Sequence, residues 1–247
     1  MLAWVVVPTY NEVENIEEAL RRLRKAAPDV HVLVVDDASP DGTADEADRL
    51  AAELGQIEVL RRPGKAGLGS AYKAGFAHGI ANGADALVEM DADLSHDPEV
   101  IPALLAALEH GADLAVGSRY VPGGSIPNWS WHRQALSRWG NRYASAVLGL
   151  AVRDATSGFR AYRAEVLRWF DLDAVRADGY GFQIEMAYRV AQRGGRIVEV
   201  PIAFTDRERG TSKMSGRIVG EALVLVTGWG VRDRLRRLRQ RRERDEG

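Results

Sequence analysis

Short apolar runs recur at residues 2–7, 31–35, 57–60, 84–90 and 113–118, and stretches of helical spacing separate them. This alternation constrains the fold more than any other feature of the chain. Residues 11–23 place Ile16, Leu20 and Leu23 on one helical face, and 44–54, 68–80 and 99–108 repeat that periodicity. Strands that alternate with helices form a mostly parallel sheet with right-handed crossovers, so the expected class is α/β with helices flanking the sheet.

Beyond residue 118 the pattern loosens. A Gly/Pro-rich loop over 122–127 precedes a long amphipathic helix over 131–150, a strand over 159–162, a helix near Glu165, a helix over 182–193 and a last strand over 197–200. Irregular chain over 204–216, carrying Arg207, Arg209 and Lys213 among glycines and hydroxyls, has the character of a binding lid. The expected organisation is one α/β domain over 1–216 and an Arg-rich amphipathic appendage over 217–247. An apolar content of 46% in 247 residues is ample for its core.

Composition excludes several chemistries. With no cysteine there is no disulfide framework, thiolate nucleophile or zinc–thiolate site, and five scattered histidines offer little to a metal. Met1 leads straight into a strand without a basic segment, so retention in the cytosol is the expectation. The ten uncharged residues between Glu221 and Arg232 are about half of what spanning a bilayer requires. Residues 232–247 hold eight arginines and four acids, whereas the whole chain carries a formal charge of −2. Such a tail suits an anionic membrane surface, although an Arg/Glu mixture is more commonly a solvated, partly frayed helix. Without interleaved stacking aromatics, nucleic acid is not an expected partner.

The chemistry collects at the carboxyl ends of the strands, where ligands bind in open α/β sheets. Asp91-Ala92-Asp93 follows the fourth apolar run, and two hard carboxylates there can share a divalent cation with a diphosphate. Asp36 and Asp37 follow the second run and suit ribose hydroxyls or a base edge; Pro8, Tyr10 and Glu12 follow the first. The first turn lacks G-x-G-x-x-G, and Gly64-Lys65-Ala66-Gly67-Leu68-Gly69-Ser70 lacks the order of a P-loop, reading instead as a loop into a helix.

Val7-Pro8-Thr9-Tyr10-Asn11-Glu12, Val34-Val35-Asp36-Asp37-Ala38-Ser39-Pro40-Asp41-Gly42-Thr43, Met90-Asp91-Ala92-Asp93-Leu94-Ser95-His96 and Gly117-Ser118-Arg119-Tyr120 together resemble the dolichyl (polyprenyl) phosphate mannose synthases. Ser157-Gly158-Phe159-Arg160, Gly181-Phe182-Gln183-Ile184-Glu185, Val200-Pro201-Ile202-Ala203-Phe204 and Ser212-Lys213 extend the likeness over about residues 4–215. The resemblance implies an inverting glycosyltransferase of the GT-A fold that moves mannose from GDP-mannose to a polyprenyl phosphate. It further implies that Pro8, Tyr10, Glu12, Val35 and Asp37 hold the nucleoside, while Asp91, Ala92 and Asp93 flank ribose and diphosphate. Asp93 would be the main ligand of Mg²⁺ or Mn²⁺. Ser95, where some relatives carry glutamine, would be a second ligand.

By the same resemblance Arg207 and Lys213 clamp the donor phosphates, Arg119 faces the reacting phosphate, and Arg133 and Ser137 bind the acceptor phosphate. Catalysis would fall to Asp91, Asp93, Arg119 and Lys213. Val219, Leu223, Val226 and Trp229, followed by Arg232, Arg234, Arg236 and Arg237, either form an interfacial helix or pack onto the sheet. Trp129, Trp131 and Trp139 have the character of headgroup-depth anchors. The expected partners are GDP-mannose, a polyprenyl phosphate lipid, the cytoplasmic membrane surface and, potentially, a separate anchor protein. Competing readings are a hexosyltransferase using a UDP-sugar and a silent nucleotide-binding membrane module. A processive polysaccharide synthase is disfavoured because Gln134 and Arg138-Trp139 miss the Q-x-x-R-W spacing.

Overall fold

A computed structural model describes residues 1–205 and 216–245. The first five strands fall where the apolar runs predict: β1 (Ala3–Thr9), β2 (His31–Asp36), β3 (Ile57–Arg61), β4 (Ala86–Glu89) and β5 (Leu114–Ser118). Between them lie α1 (Val13–Ala26), α2 (Thr43–Leu54), α3 (Leu68–Ala81) and α4 (Ile101–Glu109). Then follow α5 (Trp131–Leu148), β6 (Arg160–Arg163), the one-turn α6 (Ala164–Leu167), α7 (Gly179–Gln192), β7 (Ile197–Pro201) and α8 (Gly216–Asp245). α7 starts three residues before the expected 182, because Asp178 is extended and the two glycines that follow join the first turn.

The sheet has the order β3-β2-β1-β4-β6-β5-β7. Every pairing is parallel except those of β6, which runs antiparallel between β4 and β5. β1 alternates its side chains between two cores, as a strand buried on both faces must. Val5 and Val7 join Ile16, Leu20, Leu23, Leu50, Ile101 and Leu104 on one side. Trp4 and Val6 join Tyr72, Phe76, Leu148, Phe182 and Val226 on the other. α3 lies close against β1, since a Cβ on Gly75 would come within 2.3 Å of Val6 Cγ1.

Pro8 sits in a central strand, a position proline normally avoids because it cannot donate to the ladder. Val6 accepts from Met90 N–H on the β4 side, and Pro8, two residues further along, faces that side too. The β1–β4 register has ended by then, at Val6 opposite Glu89. The missing N–H therefore coincides with the gap where β4 leaves the sheet and the cavity opens.

Among the described residues, no helix is long and apolar enough to cross a membrane. α8 packs on α5 and α7: Val226 is buried, Trp229 stacks on Tyr188 at 5.9 Å, and a Cβ on Gly230 would meet Val147 at 2.4 Å. Val224, Gly228, Val231 and Leu235, which recur at helical spacing, are exposed. One face of the helix thus packs and another stays apolar and open. Of the residues for which the sequence leaves membrane contact and packing both open, Val226 and Trp229 are on the packed face. The side chain of Val219 lies outside the described residues.

Candidate functional site

The carboxyl ends of β1, β2 and β4 open onto a cavity of about 570 Å³. Strained backbone marks its rim. Asn11, Ala38 and Leu94 have φ of 58°, 57° and 63°, and each follows one of those three strands. Left-handed backbone in a non-glycine residue costs on the order of 1–3 kcal/mol, least for an asparagine, and persists only where surrounding contacts impose it. At Leu94 the turn brings Ser95 N–H back to Asp93 Oδ1 at 3.1 Å. Both Asp93 and Ser95 are buried.

Asp91 is fixed from two directions. Tyr72 of α3 donates its hydroxyl to Oδ1 at 3.0 Å, and burial, with Asp91 beside it, keeps that phenol well above its ordinary pKa and therefore protonated. The Asp91 N–H donates to His96 Nδ1 at 3.3 Å, which assigns the imidazole proton to Nε2 when the ring is neutral. The ring stacks on Phe159 at 4.9 Å. Beneath Asp91, Gln183 donates to the buried Glu89 at 2.6 Å. Burial pushes the Glu89 carboxyl up to about 7, against the opposing pull of Arg160 and Gln183.

The oxygens of Asp91, Asp93 and Ser95 are the hard donors a Mg²⁺ or Mn²⁺ ion accepts. Among the described residues, no group of three or more His, Cys, Asp or Glu side chains could hold a metal alone. That set fits an ion that completes its shell with substrate diphosphate and water, the usual habit of Mg²⁺.

At the far end of the cavity, Asp37 has both carboxylate oxygens engaged. Arg62 donates to Oδ1 at 2.8 Å and Ala66 N–H to Oδ2 at 3.2 Å. Asp37, expected against the nucleoside, thus anchors the 62–67 loop while still lining the cavity. Pro8, Tyr10, Glu12 and Ala92 line it as well. Val35 does not: it is fully buried, paired with Pro8 on β1, and supports the rim from below.

At the opposite end Arg119 is almost wholly buried and held side-on by Asp154, with Nε to Oδ2 and Nη2 to Oδ1 both at 2.7 Å. Burial opposes its charge, but Asp154 outweighs burial and raises the guanidinium pKa; Arg119 in turn keeps the Asp154 carboxyl low despite its own burial. Arg119 Nη2 also donates to Thr156 Oγ1 at 2.8 Å, which accepts from Asn141 of α5 at 3.1 Å. Arg133 lies 3.9 Å above the Trp129 indole, and both line the cavity.

Ser137 lies outside that cavity. It accepts from Tyr120 at 2.6 Å and lines an adjacent, mostly apolar hollow of about 70 Å³ between α5 and α8. The two spaces share Arg119, Trp129, Thr156 and Tyr180. Trp129 is buried, so it is no surface anchor, whereas Trp131 and Trp139 are exposed. Arg207 and Lys213 lie outside the described residues. A larger hollow of about 700 Å³ between α7 and α8 shares no lining residue with the strand-end cavity.

Sequence reasoning missed Tyr72, Asp154, Thr156 and Asn141. The signal available was polarity inside otherwise apolar patterns, which gives no partner.

The fold, with its acidic strand-end cavity, is that of the GT-A glycosyltransferases. Solved structures of that shape include glucosyl-3-phosphoglycerate synthase from Mycobacterium tuberculosis in complex with Mn²⁺, UDP and glucosyl-3-phosphoglycerate (TM-score 0.69, 21% identity, 92% of this chain and 79% of that one). Another is the mannosyltransferase PcManGT from Pyrobaculum calidifontis in complex with GDP-Man and Mn²⁺ (TM-score 0.65, 20% identity, 93% and 64%). Residues 4–170 match the model of Glycosyl transferase family 2, and the chain belongs to that family.

Its likeness to the polyprenyl-phosphate mannose synthases extends over nearly its whole length. It is 55% identical to the undecaprenyl-phosphate mannosyltransferase of Micrococcus luteus over 98% of this chain and 99% of that protein. It is 53% identical to the polyprenol monophosphomannose synthase of Mycolicibacterium smegmatis over 95% and 89%.

Proposed function

We propose that the protein transfers mannose from GDP-mannose to a polyprenyl phosphate with inversion, giving a β-mannosyl phosphate lipid and GDP. One observation carries this reading beyond the relatives' names: the acidic cavity adjoins an apolar hollow between α5 and α8, with Arg119 and Trp129 lining both. A donor diphosphate, a phosphate headgroup and the start of an isoprenoid tail find matching surroundings in that order.

The acceptor is a phosphate monoester with a second pKa near 6, already a nucleophile at neutral pH, so no general base is needed. Bringing it to the donor is harder. Two anionic charges at ~4 Å repel by ~4 kcal/mol in surroundings of effective dielectric 20. Arg133 offsets that repulsion at the acceptor end, while Arg119, its charge balanced by Asp154, orients the phosphate by hydrogen bonding; Arg207 and Lys213 are assigned to the donor phosphates. A lipid phosphate oxygen bonds to the anomeric carbon as the bond to GDP breaks, and the electron pair leaves with the diphosphate. Direct displacement inverts the α-linked sugar. Asp93, with Ser95 and Asp91, would hold a divalent cation, whose chemistry is charge neutralisation on the departing diphosphate.

The protein meets its lipid at the cytoplasmic membrane surface through the open stripe of α8, flanked by Arg232, Arg234 and Arg236, and through Trp131 and Trp139 of α5. α5 contains no acidic residue. Exposed aromatics beside arginines suit the headgroup layer of an anionic bilayer.

Incubation of the full chain with polyprenyl phosphate in liposomes, Mn²⁺ and either GDP-mannose or UDP-glucose tests the function. The expected product is an acid-labile β-mannosyl phosphate lipid formed from GDP-mannose alone. Transfer from UDP-glucose instead would establish the hexosyl reading, and nucleotide binding without transfer to lipid the silent module.

A further inference from the structure

The loop before α3 has no part in the chemistry above, yet it places a cation at the base end of the cavity. Lys65 Nζ lies 4.0 Å from the centroid of the Tyr10 ring, and both residues line the cavity beside Pro8 and Asp37. The surrounding backbone is tied down. Asp37 takes Arg62 and the Ala66 N–H, Arg62 reaches Ser70 Oγ at 2.7 Å, and Asp178 accepts from Gly69 N–H at 2.8 Å. The anchored loop leaves the four-carbon lysine stem as its adjustable part. Among the described residues Lys65 makes no ion pair, and its contact with Tyr10 is a cation–π seat.

We propose that Lys65 reads the donor nucleobase and favours guanine over uracil, an inference that rests on the GDP-mannose reading. A flat base that stacks on Tyr10 takes the seat of the ammonium, which then swings to the edge of the base. Guanine presents two acceptors there, O6 and N7; a pyrimidine with O4 presents one, and adenine sets an N6 donor against the cation. Asp37 then acts at one remove, as the residue that fixes the loop carrying Lys65.

The test is calorimetric binding of GDP and of UDP, each with Mn²⁺, to the full chain and to Lys65→Met. Lys65 is exposed, so the variant keeps its fold. GDP affinity is expected to fall about tenfold, the scale of a lost charge-assisted hydrogen bond, while UDP affinity falls about threefold or less. The preference for GDP narrows accordingly. Equal losses for both nucleotides would assign Lys65 to the phosphates and overturn the proposal, as would an unchanged preference. Failure of the unaltered chain to prefer GDP overturns the donor reading and this inference together; failure confined to the variant overturns this inference alone.

Discussion

The two ends of the cavity are built in different ways. The donor rim is mostly local: Asp91, Asp93 and Ser95 occupy one five-residue turn, shaped by a left-handed Leu94 and a hydrogen bond between near neighbours, with Tyr72 of α3 holding Asp91 from outside it. The acceptor end is assembled at long range, with Arg119 after β5 locked by Asp154, 35 residues away, and linked through Thr156 to Asn141 on α5. Asp93 is as buried as Arg119, and the two differ in how their surroundings are assembled: the carboxylate sits in a turn that an incoming cation can reach, while the guanidinium is paired with a counter-charge brought from a distant loop.

Substitutions that separate the two ends should differ accordingly. Asp154→Ala strands the Arg119 charge in a buried setting and is expected to cost about 3–5 kcal/mol of stability, read as a lowered denaturant midpoint. A loss under 1 kcal/mol would mean that the long-range pair does not hold the acceptor end. Beneath the donor rim, Glu89 has a folded-state pKa of about 7 against an ordinary 4.5. The unfolded chain releases this proton first, so stability falls as pH rises from about 4.5 through 7, by about 3 kcal/mol in all. Glu89→Gln should flatten that part of the stability–pH curve; parallel curves for the two proteins would refute the assignment.

Arg133→Ala should raise KM for the lipid phosphate about 10- to 100-fold, equivalent to about 1.5–3 kcal/mol, and leave GDP affinity unchanged. A matching loss of GDP affinity would erase the distinction between the ends. The smallest effect falls on the double variant Trp131→Ala, Trp139→Ala. Its binding to anionic vesicles in a sedimentation assay should weaken by about 1–2 kcal/mol, with GDP binding intact. Unchanged vesicle binding would remove α5 from the membrane contact.

Legibility from sequence follows the same division. β1 to β5 and α1 to α4 announce themselves by period, and Asp91 and Asp93 by their place after a strand, because each signal lies within a few residues. The antiparallel insertion of β6 between β4 and β5 is a pairing between distant segments, and a four-residue run carries no mark of its direction. Asp154 is a lone acid in a loop until the fold brings Arg119 to it. Asp37 was readable as a rim residue but not as an anchor, since Arg62 and Ala66 reach it only once the loop closes. The apolar stretch in α8 left packing and membrane contact equally open, and the helix divides them between its faces.

The central claim is that a divalent ion held at the Asp93 turn neutralises the donor diphosphate opposite the arginine end. The most direct measurement is mannosyl transfer from GDP-mannose to polyprenyl phosphate across a Mn²⁺ titration, comparing the unaltered chain with Asp93→Ala. The expected result is turnover that requires the metal and is abolished in the variant, while thermal unfolding shows that the variant remains folded. Metal-independent transfer, or a folded Asp93→Ala protein with undiminished turnover, would contradict the account.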